Sequence, residues 1–293
     1  DRSVDAVLGD QDAAAQTKLL AQGTLPEADR FGVREGGEGV IESNSIHGHV
    51  LRVDRLGKSG FAGPPSRPGE GRASVWRMNG LTDDLLETWV TGWAKARGYQ
   101  TRHEGRFPAA FLHDKTNDWE YFALEPSHDE FAALASSARQ GAGRLFTIVT
   151  SRVSELYGAA NVYGLSVRST DEVFMLLPME GQDIEDPLPP DGFTAQTFRS
   201  STGGRVEVAS GDVTAAGGHV AVVDGFAVYD QIVTDPGFRR QGLGSYVMRA
   251  LTAVALEHDA ETGLLISPAT GLELYRYLGW ESLASVMMFE PRL

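Results

Sequence analysis

Ile232-Val-Thr-Asp-Pro-Gly-Phe-Arg-Arg-Gln-Gly-Leu-Gly-Ser245 runs from a strand-like stretch into a helical one through a glycine-spaced turn. Upstream, residues 226–234 are rich in β-branched and aromatic types. Downstream, Leu243, Val247, Leu251, Val254 and Ala255 recur at helical spacing. The first backbone N–H groups of a helix have no intrahelical acceptor, and the summed peptide dipoles place partial positive charge there. A phosphate satisfies both. Gly242 and Gly244 carry no Cβ, so ligand oxygens can approach the backbone, and Arg239 and Arg240 add charge beside the turn. The stretch therefore reads as a seat for a pyrophosphate-bearing cofactor. A dinucleotide fingerprint needs G-x-G-x-x-G early in a βαβ unit with an acidic residue about twenty positions on, and the spacing here differs. No Gly-Lys-Ser or Gly-Lys-Thr follows, which excludes a Walker loop.

Arg239-x-x-Gly242-x-Gly244 fits the pattern R/Q-x-x-G-x-G/A. After a strand-like stretch at 262–266 comes Leu274-Tyr-Arg-Tyr-Leu-Gly-Trp280. This ordered pair of motifs resembles the GNAT acyltransferase family over residues 192–293. The resemblance implies acetyl-CoA as cosubstrate. It places the backbone of Ile232, Val233 and Thr234 along the pantetheine arm, with the Ile232 N–H near the acyl carbonyl. The N–H groups of Gln241, Gly242, Leu243, Gly244 and Ser245 would hold the pyrophosphate, with Arg239 and Arg240 beside them. Tyr275 falls at the family's tyrosine position, where it would give a proton to the leaving thiolate. Asp230 is the near match for an acidic base, on the face of Ile232 and Thr234 if the strand is regular; a bulge would reverse that. Tyr229, Glu273, His103, Glu104 or a chain of waters stay open as proton acceptors. The family's asparagine before its last helix is replaced by Ser267-Pro-Ala-Thr-Gly271.

The chain has 293 residues, enough for two domains with cores of their own. It has no cysteine, which removes disulfides, thiolate metal sites and a cysteine nucleophile, and makes direct transfer the simplest acyl chemistry. A net charge of −14 and a pI of about 4.9 disfavour nucleic acid and anionic membranes as partners and attract cations. No long apolar run or leader-like segment is present, so a soluble, cytoplasmic chain is expected. His47 and His49 share one face of a strand but lack further ligands, so no metal is expected.

Residues 1–72 read as an arm ending in a flexible connector at 60–71. Residues 73–180 read as an α+β domain: a helix capped by Thr82 and stopped by Gly98, a turn at 100–105, a hairpin of 109–113 with 119–124, and a helix opened by a Ser127/Glu130 capping box. A strand at 145–150, a helix at 153–159 and a closing strand pair, 162–167 with 173–177, follow. Glu155-Leu-Tyr-Gly158 is a short echo of the motif around Tyr275. Two readings stay open, a tandem GNAT arrangement with a degenerate first copy and an unrelated α+β domain. In either, Leu124-Glu-Pro-Ser-His-Asp-Glu130 offers carboxylates and no glycine pair, so one cofactor site is expected.

Residues 181–192 read as an acidic, proline-rich linker, and 193–293 as the GNAT domain, opening with a four-strand meander. GNAT proteins insert two helices between their first two strands; here only 199–204 intervenes. The 73–180 domain, with its tryptophan-rich helix and the 100–105 turn, is expected to cover the acceptor side instead. A fragment 193–293 is then expected to keep cofactor affinity and lose acceptor turnover. The expected whole is an α+β acyl-CoA N-acyltransferase fold that passes an acetyl group directly to a primary amine of a small molecule. A protein N-terminus or lysine as acceptor, and a non-catalytic acyl-CoA sensor, remain the alternatives.

Overall fold

The structure, a computed structural model, describes residues 80–182, 185 and 187–292; the connector and the His47/His49 pair lie outside them. Helix α1, Asp83–Arg97, starts where the Thr82 hydroxyl accepts the Leu85 N–H at 3.2 Å. It ends at Gly98, whose φ of 69° suits glycine. Asp83 and Asp84 in its first turn and Lys95 and Arg97 in its last match the helix dipole.

Strands β1 (Gln100–Glu104), β2 (Phe107–Phe111) and β3 (Trp119–Leu124) precede helix α2 (His128–Ala138), strand β4 (Leu145–Thr150), helix α3 (Val153–Ala160) and strand β5 (Leu165–Pro178). The second half repeats that order with one more leading strand: β6 (Thr194–Ser200), β7 (Gly203–Ser210), β8 (Val213–Val223), β9 (Phe226–Thr234), α4 (Leu243–Leu256), β10 (Thr262–Pro268), α5 (Leu272–Tyr277) and β11 (Glu281–Pro291). Among the described residues all eleven strands form one sheet, in the order β1-β2-β3-β4-β11-β5-β10-β9-β8-β7-β6. Only β3/β4 and β9/β10 are parallel, each joined by a crossover helix, α2 or α4.

The last strand of each half crosses to the other: β5 pairs with β10, and β11 with β4. The strands of 100–178 and of 194–291 therefore share one sheet. A fragment 193–293 would leave β10 and β11 without β5 and β4. Two expectations change. Residues 162–167 and 173–177 are not a strand pair: one strand of 14 residues runs through the polar middle at 169–172, accommodated by register shifts along β11. Residues 100–105 are not a turn: 100–104 form edge strand β1, exposed along its length, so no apolar alternation marks it.

Helices α2, α3, α4 and α5 pack on one face and α1 on the other. Ala227 and Tyr229 face α4, while Val228 between them faces α1. Met287 and Phe289 join the α2 core, while Val286 joins the α1 core. The α1 contact is close: a Cβ on Gly92 would lie 2.4 Å from Val228 Cγ2. Trp89 and Trp93 stack at 5.6 Å and wedge between Phe122 and Phe174. Among the described residues no helix is long and apolar enough to cross a membrane.

Candidate active site

Strands β9 and β10 pair only at Phe226/Thr262, Ala227/Gly263 and Val228/Leu264, although they run on to Thr234 and Pro268. The cause is a bulge. Gln231 has a φ of 53°, and the register with β8 shifts between Gly217 and His219. Beyond Val228 the two strands part, and that edge of β9 loses its ladder with β10. The topological counterpart, β3/β4, stays paired through Leu124/Val149.

The opening leads to the glycine turn. Asp235 accepts the Gly237 N–H at 2.8 Å and starts a short 3₁₀ turn, Pro236–Phe238. Arg240 (φ 62°) and Gly242 (φ 80°) then bend the chain into α4. Gly242 caps that helix with no side-chain hydrogen bond, and its first turn holds no acid. The first helical bond runs from the Tyr246 N–H to the Gly242 carbonyl, at 3.0 Å, so the N–H groups of Leu243, Gly244 and Ser245 precede the ladder. Gln241 and Gly242 are exposed beside them. An uncapped helix start, free of acid and flanked by Arg239 and Arg240, fits a diphosphate. Helix α2 differs: Ser127 and Glu130 close its N-terminus in a capping box, and Glu125 at the turn is taken up by Ser151, Thr150 and Arg152.

Tyr275 on α5 is 6% exposed, its ring 6.1 Å from that of Trp280. Burial, and then the charge of Asp230, push its phenol well above the ordinary range, so it stays protonated at neutral pH. Tyr157, its counterpart in the echo, sits on α3 and is 59% exposed.

The bulge reverses the expected facing of Asp230. Ile232 packs toward α4, its Cδ1 2.5 Å from where a Cβ on Gly218 would stand. Asp230 faces α1, where Arg97 grips both carboxylate oxygens, Nε to Oδ2 at 2.5 Å and Nη2 to Oδ1 at 3.0 Å. The two side chains are 5% and 14% exposed. Burial disfavours the Arg97 charge, but Asp230 more than offsets it and holds the guanidinium above its ordinary value. Of the other candidates, Tyr229 is tied to Thr252 on the α4 face at 2.9 Å. His103 lies beside Glu87 on the exposed edge, near Glu104, and Glu273 is exposed.

A set of charged side chains that sequence reasoning missed lines the α1 face past the C-terminus of that helix. Glu120 on β3 is 4% exposed and accepts the Thr147 hydroxyl at 2.6 Å; burial pushes its carboxyl up. Glu172 alternates on β5 with Phe174 and Leu176, which pack against α1. Burial, then the charges of Glu120 and Asp171, push Glu172 up to about 7, with Lys115 acting the other way. The Lys115 ammonium is held below its ordinary range, by desolvation and then by Arg97. The available signal was a lone acid amid the apolar run Trp119–Leu124.

Residues 176–280 match the family model described as the acetyltransferase (GNAT) family. Residues 176–280 belong to the GNAT family. The match begins at the end of β5, the strand lent by the first half. A GCN5-related N-acetyltransferase from Kribbella flavida superposes with a TM-score of 0.53 at 17% identity, covering 71% of this chain and 95% of that one. A putative acetyltransferase of the GNAT family from Novosphingobium aromaticivorans reaches a TM-score of 0.47 at 14% identity, covering 71% and 96%. No curated protein matches. The GNAT fold is thus an α+β acyl-CoA N-acyltransferase fold, and the family in general binds acetyl-CoA and an acceptor.

Proposed function

We propose that this chain is an N-acetyltransferase that moves the acetyl group of acetyl-CoA directly to a primary amine of a small molecule. The observation that carries the reading is the parted β9/β10 pair, which ends at a helix start with neither capping side chain nor acid. In this reading the N–H groups from Gln241 to Ser245, with Arg239 and Arg240, hold the diphosphate. The freed edge of β9 at Ile232, Val233 and Thr234 pairs with the amide-bearing arm. When bound, the thioester supplies an activated acyl carbon, and the Ile232 N–H polarises its carbonyl. Tyr275 donates a proton to the departing sulfur. Asp230, with both oxygens on Arg97, fastens the end of α1 to β9.

A small acceptor is favoured by what covers the far side of the opening. Only Ser201 and Thr202 separate β6 from β7, so lid helices are absent there, and α1 packs across β8 and β9 instead. The test is calorimetry of coenzyme A with the full chain, followed by thiol release from acetyl-CoA in the presence of primary amines. Micromolar binding and amine-dependent release support the reading. No association with coenzyme A refutes it.

A further inference from the structure

Glu172 differs from Asp230 in what surrounds it. Asp230 is saturated by Arg97, whereas Glu172 has no hydrogen bond or ion pair among the described residues. Its register partner on one side is Pro268, the last residue of β10, and on the other Val286 of β11. Neighbouring strands lie about 4.8 Å apart, so Glu172 stands one strand away from the arm of the opening that β10 forms. Glu120 and Lys115 face it from β3 and the loop before it, and Asp171 is its neighbour in sequence. Arg97 and Asp230 act on Lys115, and Arg97 and Arg168 on Glu120.

The opening lies between β9 and β10 beyond Val228 and Leu264. Tyr275 belongs to the core beneath α4, yet it feels the charge of Asp230, which lies on the α1 face. A proton donor on one side and carboxylates on the other thus flank the same gap. A further unmet polar group stands on the α1 side. The indole N–H of Trp89, 5% exposed, is buried and has no hydrogen-bond partner among the described residues. Its ring rests on Phe122 and Phe174, each two residues from one of the carboxylates.

We propose that Glu172 and Glu120, both supplied by the first half of the chain, receive the acceptor as a cationic primary amine from the α1 face, Glu172 taking its proton. This rests on the acyl-transfer reading above. The ammonium gives one proton to the Glu172 carboxylate, which passes it to water. The neutral nitrogen bonds to the acyl carbon, and the carbon–sulfur bond breaks. Sulfur takes its proton from the Tyr275 phenol, and the second proton lost by nitrogen restores that phenol. The products are an amide, a thiol and one proton released to solvent. The side chains support cation binding: Arg97, Lys115 and Arg168 are set against Asp114, Glu120, Asp171, Glu172 and Asp230, so carboxyl groups outnumber cations.

Two measurements on the full chain test this. With isotope-labelled glutamate, one carboxyl resonance should titrate near 7 in the wild type, vanish in Glu172→Gln, and shift when putrescine is added. If no glutamate titrates outside the ordinary carboxylate range, the proposal is overturned. Thiol release from acetyl-CoA is then followed with putrescine and with tyramine. Glu172→Gln should lower kcat by about 100-fold and remove the acid limb of the pH profile, with the coenzyme A Kd unchanged as the check on folding. Glu172→Asp should recover part of the rate, and Glu120→Gln should raise KM for the amine. An unchanged rate and pH profile in Glu172→Gln overturns this inference and leaves acyl transfer standing. Failure of the wild type to bind coenzyme A instead refutes acyl transfer itself.

Discussion

Gly242 and Gly225 allow the role of the glycine turn to be separated from its strain. Both have left-handed backbones, φ 80° and 79°, and a Cβ added at either meets no atom within 4 Å. Alanine at either site should therefore cost a similar amount of stability, about 1–2 kcal/mol for an L-residue forced into that region. Their surroundings differ. Gly225 sits in the turn between β8 and β9, at the start of a strand of nine residues, roughly 30 Å from the far end at about 3.3 Å per residue. Gly242 stands at the uncapped start of α4. A methyl group there occupies space the diphosphate needs and displaces it from the exposed N–H groups. Losing one hydrogen bond to a charged group costs about 1.5–3 kcal/mol, which raises Kd by roughly 10–150-fold. Urea unfolding gives the stability of each variant, and calorimetry its affinity for coenzyme A. Equal stability losses with weakened binding in Gly242→Ala alone are expected. Wild-type affinity in Gly242→Ala would refute the role given to this turn.

Arg97→Met should destabilise by about 3–5 kcal/mol, because Asp230 is left buried without its partner; adding Asp230→Asn should recover most of that in urea unfolding, and equal losses in the single and double variants would contradict the pairing. Tyr275→Phe should lower kcat about 10–100-fold while coenzyme A affinity stays as in the wild type; a fall in affinity instead would mark the tyrosine as a packing residue. Glu172 has a folded pKa raised from 4.5 to about 7, so its contribution is fully present below the unfolded value and is lost as pH rises through 7. Glu172→Gln should therefore stabilise at pH 8 by about 2 kcal/mol, allowing for partial screening by solvent, and have little effect at pH 4; a pH-independent difference in urea midpoints would show that the carboxylate is not desolvated. The fragment 193–293 should give no dispersed amide spectrum, since β10 and β11 lose their partners; a folded fragment would mean that the exchange of strands is dispensable.

How far the fold could be read depended on whether the cause was local. Thr82, Gly98 and the Ser127/Glu130 box act within one turn of helix, and the structure places each as expected. The glycine turn and the tyrosine helix were legible for the same reason. The exchange of β5 and β11 was not, because an apolar run carries no mark of which half it will pair with. Strand β1 was missed because all five of its residues are exposed. The facing of Asp230 depended on one bulged residue, Gln231, with a positive φ that glutamine does not announce. Arg97 lies 133 positions from the carboxylate it grips, and no spacing rule reaches that far.

The two halves differ where each parallel pair meets its crossover helix. Each has a parallel pair with a crossover helix, yet only the second pair parts. In the first half β3 and β4 stay in register to their ends, the carboxylate of Glu125 fills the turn, and a capping box occupies the next helix start. A phosphate there would meet acid in place of free N–H groups. What the first half retains is the opposite face of its sheet, where Glu120 and Glu172 stand under the end of α1. Because β5 lies directly against β10, that face adjoins the opening of the second half. On the proposed reading one half grips the donor and the other meets the acceptor, each beside the strand it receives from the other.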